Sequence, residues 1–196
     1  MSADEILNEV LKDKVFYRTS GGGLTLSGGE PLIQSDFCVE ILRAAKEKEL
    51  HTCIETCGHV PSEAILQSAK YTDLYLFDLK ESDSHLHLKF TGADNKLILE
   101  NLMLLNKLGK DIILRCPLIP DFNCREEHII AISDIANSLH HVIGIEIEPY
   151  HEFGVSKYEK LGRAYYISPN SIDNTYYGKY VDMLKDRTEK PVKNIK

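Results

Sequence analysis

The amino-acid sequence predicts an α/β fold in which helices cover a parallel sheet. Compact apolar segments of strand length alternate with amphipathic segments of helix length, and one strand plus one helix takes about 25 residues. The strand segments are nearly continuous apolar runs, which is typical of parallel strands that are buried on both faces. No phosphate or dinucleotide loop accompanies them, so the pattern favours a barrel, or an open part of one, over a doubly wound sheet.

All 196 residues are expected to form one domain with three parts. Residues 1–20 are predicted as a helix and linker, residues 21–151 as the β/α core, and residues 152–196 as a C-terminal loop and helix. The predicted strands are 24–26, 51–56, 73–78, 112–115 and 143–147, and the predicted helices between them are 35–49, 61–70, 97–108 and 123–139. Asn123, with Glu126 three residues later, has the spacing of a capping box and is predicted to begin the last of these helices.

The composition and charge exclude several classes of function. The net charge of −7 argues against a nucleic-acid partner, and no apolar run approaches the roughly 18 residues of a membrane span. The acidic first residues contain no apolar signal segment, so a cytoplasmic location is expected. The 5 cysteines form an odd, scattered set that suits a reducing compartment better than a disulfide framework.

A glycine-flanked strand, Leu24 to Leu26, runs directly into the segment Ser27-Gly28-Gly29-Glu30. Glycine removes side chains where a backbone must approach something closely, which indicates a ligand lying against this segment. A structural turn explains the same glycines, so the sequence leaves both interpretations open.

Every predicted strand is followed by polar side chains that are able to bind or react. In parallel α/β folds the carboxyl ends of the strands meet at one edge, and sites are built there. A shared site at this edge is therefore predicted, and its mixed charges suit a ligand with an ammonium, a carboxylate and hydroxyl groups. The residues concerned are Glu30, Glu55, Thr56, Asp78, Lys80, Arg115, Tyr150 and His151.

Five segments carry, in the right order, a resemblance to one protein family. They are Thr25 to Pro31, His51 to Gly58, Leu76 to Lys80, Leu114 to Pro120 and Pro149 to Gly154, followed by Lys157-Tyr158 and Leu161-Gly162. Together they resemble the radical S-adenosylmethionine (SAM) enzymes that activate glycyl radical enzymes, of which the pyruvate formate-lyase activating enzyme is the closest named type. The resemblance covers the chain from about Glu5 to Tyr166.

The resemblance implies a partial (β/α) barrel, similar to a TIM barrel, with SAM lying across the carboxyl edge of the strands. It implies an activase that cleaves SAM reductively and abstracts hydrogen from a glycine of a partner enzyme. The complete activase would use a [4Fe-4S] cluster and an electron donor such as flavodoxin or ferredoxin. The partner would be pyruvate formate-lyase or a related glycyl radical enzyme.

The resemblance also implies roles for individual residues. Ser27, Gly28, Gly29 and Glu30 match the motif whose backbone receives the methionine ammonium; Asp78, Lys80 and Arg115 match positions that hold polar groups of methionine and ribose; His151 matches a histidine near the nucleoside. Glu55 matches an acidic position of the site, or belongs with Thr56 and Asp78 to a monovalent cation site. The alternatives are structural, with Glu55 and Asp78 as strand-end partners of a nearby cation and His151 as an ordinary loop histidine.

One feature departs from the family pattern. The family holds its cluster on a Cys-x-x-x-Cys-x-x-Cys loop after the first barrel strand, and no cysteine precedes Cys38 here. The first strand and its cluster loop are therefore expected to be missing, since Cys53 and Cys57 lie on a different strand with the wrong spacing. The chain by itself is expected to be unable to cleave SAM. The alternative is a degenerate module that binds SAM or docks a partner without radical chemistry.

A missing first strand has a structural consequence. The strand at Leu24 to Leu26 becomes the edge of the sheet, and its unpaired backbone groups invite pairing with another chain. A dimer through this edge is therefore expected.

Overall fold

The structure, a computed structural model, describes residues 1–152, 155–165 and 174–194. One six-stranded sheet forms its centre, and each strand pairs in parallel with the next strand along the chain. The strands are β1 (Gly23–Leu26), β2 (His51–Thr56), β3 (Leu74–Asp78), β4 (Asp111–Leu118), β5 (Val142–Pro149) and β6 (Val192–Asn194). The strand order never reverses, which is the order of a (β/α) barrel rather than of a doubly wound sheet. The predicted α/β class and partial barrel are confirmed.

Helices connect the strands and precede the first of them. They are α1 (Ala3–Val10), α2 (Lys14–Ser20), α3 (Ser35–Glu47), α4 (Ser62–Ser68), α5 (Ser84–Thr91), α6 (Lys96–Lys107), α7 (Glu126–Ser138), α8 (Val155–Lys160) and α9 (Asn174–Arg187). Within the described ranges, no helix has both the length and the apolar character needed to cross a membrane.

The two faces of the sheet differ, which corrects the expectation that the strands are buried on both sides. The face under the helices is fully buried, as Tyr75, Phe77 and Leu114 show with 0% exposure. Residues of the opposite, concave face are half-buried, and among them are Asp78 and Arg115. Because helices cover one face only, the other face becomes the open lumen of the partial barrel.

Three segments differ from the sequence predictions in secondary structure. Residues 14–20, predicted as a linker, form α2, and the polar segment after β3 contains α5, whose start is capped by Asp83 accepting a hydrogen bond from the Leu86 amide at 2.8 Å. Residues 192–194, predicted as part of a C-terminal loop and helix, form β6, which continues the sheet beside β5. The pairing of β6 with β5 is a tertiary contact between distant segments, so the local sequence pattern did not reveal it.

The predicted cap of α7 is wrong. Arg125 stands at the N-cap position of α7 and makes no side-chain cap bond, and Asn123 lies outside the helix. The Asn123 side chain is 4% exposed; it accepts from the Ile119 amide of its own loop and donates to the Lys80 carbonyl in the loop after β3. A spacing that is typical of a capping box therefore serves a long-range contact here.

Candidate functional site

Arg115 is the centre of the charged part of the concave face. The strand register places Asp78 of β3, Arg115 of β4 and Glu146 of β5 side by side on the same face. The Arg115 Nη1 atom lies 2.6 Å from Glu55 Oε1, and its Nη2 atom forms an ion pair with Glu148. The Nε atom lies 3.8 Å from Glu146 Oε2 and has no hydrogen-bond partner among the described residues. The guanidinium is thus engaged by glutamates from β2 on one side and β5 on the other.

Carboxylates outnumber cations in this cluster. The four carboxylates Glu55, Asp78, Glu146 and Glu148 face the two cations Arg115 and Lys80, so four minus two leaves two negative charges when all are ionised. Partial burial disfavours the charge of Arg115, but the surrounding carboxylates outweigh this and raise its pKa.

The excess of negative charge shows in the raised pKa of Glu148. Burial raises the pKa of the Glu148 carboxyl, and the charges of Asp78 and Glu55 raise it further against the opposing effect of Arg115. An added cationic ligand would relieve this repulsion. The site therefore has the electrostatics of a cation receptor with one guanidinium built into it.

Lys80 is the other cation and stands where β3 has ended. Its Nζ atom lies 2.9 Å from Asp78 Oδ2, and its side chain is 41% exposed. Partial desolvation works against the charged amine, but the attraction of Asp78 prevails and raises the Lys80 pKa. Lys80 is consequently a charged donor that still has access to a second, anionic partner.

Glu30 has a structural role that sequence reasoning did not assign. Its carboxylate accepts hydrogen bonds from Thr56 Oγ1 at 2.8 Å, the Cys57 amide at 2.9 Å and the Leu32 amide at 3.2 Å. These bonds tie the loop after β1 to the end of β2. The side chain therefore braces the edge, and the neighbouring backbone is left to face outward.

The glycines before Glu30 border open space. Ser27, Gly28 and Gly29 are exposed, and a Cβ atom added at either glycine would meet no protein atom within 4 Å. Gly28 has φ of +147°, a conformation that other residues rarely adopt. The turn interpretation explains Gly28, while nothing within the described protein requires glycine at position 29.

The alternative cation site of Glu55, Thr56 and Asp78 is not assembled from these side chains. Thr56 lies on the buried face, 2% exposed, and its hydroxyl donates to Glu30, whereas Glu55 and Asp78 belong to the concave face. Across the residues that the structure describes, no three His, Cys, Asp or Glu side chains converge on a possible metal position.

His151 follows β5 by two residues and is exposed at the same edge. The adjacent Tyr150 bonds through its hydroxyl to the Tyr165 hydroxyl at 3.0 Å. Phe153 and Gly154 of the predicted motif, and Tyr166 at the end of the resemblance, lie outside the described residues.

Sequence reasoning missed Glu146 and Glu148. The predicted strand ended at Ile147, so Glu148 fell outside it, although β5 extends to Pro149; Glu146 lay within the predicted strand but was not considered as a site residue. Their spacing of two residues places them on one face of a strand, and this alternation was the available signal.

A cavity of about 540 Å³ adjoins Lys80 at the ends of β3 and β4. Aromatic and apolar side chains line most of it, including Phe90, Pro117, Phe122 and Tyr165. The charged cluster thus continues into a space suited to a flat or apolar group.

Comparison with known proteins decides the family. Residues 1–134 match the sequence profile of the Radical SAM superfamily. The chain belongs to the radical SAM superfamily. Curated relatives of this radical SAM chain include the (2S)-3-sulfopropanediol sulfolyase activating enzyme of Bilophila wadsworthia, which is 42% identical over 94% of the chain and 61% of the relative. The pyruvate formate-lyase-activating enzyme of Staphylococcus aureus is 35% identical over 84% of the chain and 68% of the relative.

A solved structure agrees with these relatives. A domain of a pyruvate-formate lyase-activating enzyme from Bacteroides vulgatus superimposes with a TM-score of 0.72 and 26% identity, covering 88% of this chain and 98% of that one. The predicted resemblance is confirmed, and the homologues are activating enzymes of glycyl radical enzymes. The radical SAM chain spans about half to two thirds of the length of the curated relatives it matches.

The family uses SAM and a [4Fe-4S] cluster, and the cysteines present do not fit the cluster. All five cysteines are free, and across the described residues no three His, Cys, Asp or Glu side chains come together as the ligands of a cluster would have to. Cys38 also donates to the Pro31 carbonyl at 3.0 Å, and Cys116 is completely buried in the core. As the structure places them, these five cysteines do not fit the ligand set of a cluster.

The edge does fit SAM. The backbone of Gly28 and Gly29 borders open space, and Lys80 offers a charged donor at the same carboxyl edge. The surplus of carboxylates suits the positive sulfonium and ammonium groups, so the donor set matches the chemistry of this cofactor.

Proposed function

We propose that this chain is the SAM-binding barrel of an activating enzyme for a glycyl radical enzyme. The observation that carries this proposal is the carboxylate-rich cluster around Arg115, with Lys80 exposed next to it, at the carboxyl edge of a radical SAM barrel. The sequence family supports the activity class, since the curated relatives are named as activating enzymes.

The charges of the ligand match the charges of the site. SAM has two positive groups, the sulfonium and the ammonium, and one carboxylate, so its net charge complements the surplus of two carboxylates. Lys80 would bind the methionine carboxylate, and the backbone of Ser27 to Gly29 would receive the ammonium. Asp78 and Glu55 would accept hydrogen bonds from ribose hydroxyls, and His151 would stand near the nucleoside.

Arg115 takes a different role from the one that the sequence predicts. Its Nη1 and Nη2 atoms pair with Glu55 and Glu148, and its Nε atom is buried, so a ligand carboxylate would have to compete with carboxylates that are already in place. We assign it the task of holding Glu55 and Glu148 in place and of offsetting part of their charge.

The chain by itself is proposed to bind SAM without cleaving it reductively. When bound to a cluster, SAM supplies the radical chemistry of the family, and the five cysteines described above do not hold one. Anaerobic reconstitution with iron and sulfide, followed by assay of 5′-deoxyadenosine, tests this point. A stoichiometric cluster with turnover would overturn it.

The partner class is proposed as a glycyl radical enzyme. The relatives are named for a sulfolyase, a choline trimethylamine-lyase and pyruvate formate-lyase, and this range supports the class rather than one member. An electron donor such as flavodoxin or ferredoxin would serve the complete enzyme. The net charge of −7 is in keeping with a protein partner rather than nucleic acid.

A matched pair of lysines allows a sharp test of SAM binding. Lys80 pairs with Asp78 at 2.9 Å at the carboxyl edge, and Lys46 pairs with Asp73 at 2.8 Å at the opposite edge. In calorimetric titration with SAM, Lys80→Met should weaken binding by roughly tenfold, the effect of one charge-assisted hydrogen bond, and Lys46→Met should not change it. Equal effects of the two substitutions would refute the proposed site.

A degenerate binding or docking module is the second candidate, and the chemistry of the cysteines is the observation that favours it. The two candidates predict different products when the protein is supplied with cluster ligands: an activating enzyme forms 5′-deoxyadenosine from SAM, and a binding module does not. If a form that carries cluster ligands binds SAM through Lys80 but never yields 5′-deoxyadenosine, the module is the correct description.

A further inference from the structure

Buried asparagines hold the backbone at the carboxyl edge, and none of them is among the residues proposed to bind SAM. Three asparagines, Asn95, Asn101 and Asn123, are at most 4% exposed, and each donates through its Nδ2 atom to two backbone carbonyls at or just after the carboxyl ends of strands. Asn101 serves the loop after β2, and Asn95 serves the loop after β3. Asn123 differs because it joins the loop after β3 to the end of β4.

The Asn123 amide is fully used. Its Nδ2 atom donates to the Lys80 carbonyl at 2.7 Å and to the Pro117 carbonyl at 2.7 Å, and its Oδ1 atom accepts from the Ile119 amide at 2.6 Å. Exchanging the amide oxygen and nitrogen would set oxygen against two carbonyls, so the partners fix its orientation. A buried amide with every partner in place is a rigid bracket between the ends of β3 and β4.

This bracket acts on the backbone of Lys80. The preceding residue, Leu79, donates its amide to the Arg115 carbonyl at 2.8 Å, and the following residue, Glu81, is held by Arg125 through two bonds of 2.7 and 2.8 Å. Lys80 is therefore fixed on both sides and at its own carbonyl. Its long side chain starts from a defined point, which reduces the entropy lost when the amine pairs with Asp78.

We propose that Asn123 is a positioning residue: its amide fixes the Lys80 backbone against the end of β4 and so sets where the Lys80 amine stands beside Asp78. The expected effect of Asn123 on SAM affinity rests on the proposed function, whereas its effect on the position of the Lys80 amine does not. Asn101 bonds with the same geometry, to Gly58 and Val60 at 2.8 Å each and to Ser62 at 2.8 Å, but serves a loop that lacks Lys80. It is the matched control.

The test follows the Lys80 amine directly. The folded chain is labelled by reductive methylation with ¹³C, and the Lys80 signal is assigned with Lys80→Arg. Asn123→Leu, which keeps the branched shape of the side chain and removes its hydrogen bonds, should move the Lys80 signal toward those of exposed lysines such as Lys96. Asn101→Leu should lower stability to a similar extent and leave the Lys80 signal in place.

An unchanged Lys80 signal in folded Asn123→Leu would overturn the proposal. If that variant does not fold, the smaller change Asn123→Ser is measured in its place against the same two outcomes.

A second readout links positioning to the ligand. Asn123→Leu should weaken SAM binding by roughly tenfold in the wild-type background and much less in the Lys80→Met background, because the amine it positions is gone. Equal losses in both backgrounds would mean that Asn123 acts without Lys80 and would overturn the proposal. If the wild-type chain binds no SAM, the proposed function fails, and the Lys80 signal alone decides the role of Asn123.

Discussion

Arg115 on β4 and Glu55 on β2 form an ion pair of 2.6 Å that passes over the intervening strand β3. Two strands separated by a third are joined on the concave face, and Glu148 completes the link to β5. On the open face of the partial barrel, ion pairs therefore link strands that apolar packing would link in a closed core. The same charges create the cation-binding character of the edge.

Removing the arginine should expose this dependence. Arg115→Met leaves four carboxylates with Lys80 as their only described cation, so the free energy of unfolding at neutral pH should fall by about 3 kcal/mol. Because the pKa of Glu148 is raised, mild acid should neutralise part of the repulsion and recover part of the loss. Urea unfolding at neutral and mildly acidic pH measures both effects. Arg18→Met, at an exposed position on α2, is the control, and an equal effect there would contradict a special role for Arg115.

The brace formed by Glu30 should matter for stability independently of any ligand. Glu30→Gln places an amide donor among the donors of Thr56 and Cys57, so the free energy of unfolding should fall by about 2 kcal/mol. Glu40→Gln, on the exposed side of α3, should stay within about 0.5 kcal/mol. Chemical denaturation of both variants checks this, and a neutral Glu30→Gln would mean that the brace is dispensable.

Acid should destabilise the fold through His128. Its side chain is 0% exposed, its Nδ1 atom accepts from the Ser82 amide at 3.2 Å, and burial lowers its pKa to about 4. The unfolded chain therefore binds a proton between roughly pH 6.5 and pH 4 that the folded chain does not bind, so stability falls as the pH falls through this window.

Glu81 beside His128 adds to this effect at lower pH. Burial opposes its charge, but the bonds from Arg125 prevail and keep the pKa of Glu81 below its usual range. Stability conferred by this ionised carboxylate is lost as it becomes protonated. His128→Gln should retain the acid loss from Glu81 and make the slope between pH 6.5 and pH 4 shallower, as thermal unfolding across this range would show. An unchanged slope would remove His128 from the explanation.

The edge strand predicts self-association. Within the described part of the chain, β1 pairs with β2 on one side only, and its other side presents backbone donors and acceptors. Scattering in solution should show a dimer or larger species whose fraction increases with concentration. A monodisperse monomer over the whole range would contradict this expectation.

The sequence located the edge better than the contacts within it. Glu55, Asp78, Lys80 and Arg115 were predicted because each follows or ends an apolar strand, and parallel register brings such positions together. Their mutual pairing depends on side-chain directions: the pairing of Glu55 with a nearby cation was one open alternative, whereas the pairing of Arg115 with Glu148 was not predicted. Asn123 was misinterpreted because its partner Lys80 lies 43 residues away, beyond the reach of a local capping pattern.

The glycine segment is a place where the sequence left two interpretations open. Sequence alone allowed a turn or a ligand at Gly28 and Gly29; the structure gives Gly28 a φ of +147°, which a turn explains, and leaves open space at both glycines. Glu30, which belongs to the same motif, turns its side chain the opposite way because Thr56 and the Cys57 amide offer better partners than solvent.

The most direct measurement is the response of the Gly28 and Gly29 amides to SAM. Both residues are exposed next to open space at the carboxyl edge, and glycine amides occupy a distinct region of a ¹H–¹⁵N spectrum. We expect added SAM to shift these two amide signals in a saturable way. In the ¹³C-methylated protein, the signal of the Lys80 amine should shift over the same range of SAM concentration. Saturable binding that leaves both glycine amides unmoved, or no binding at any accessible SAM concentration, would refute the assignment of this edge as the SAM site.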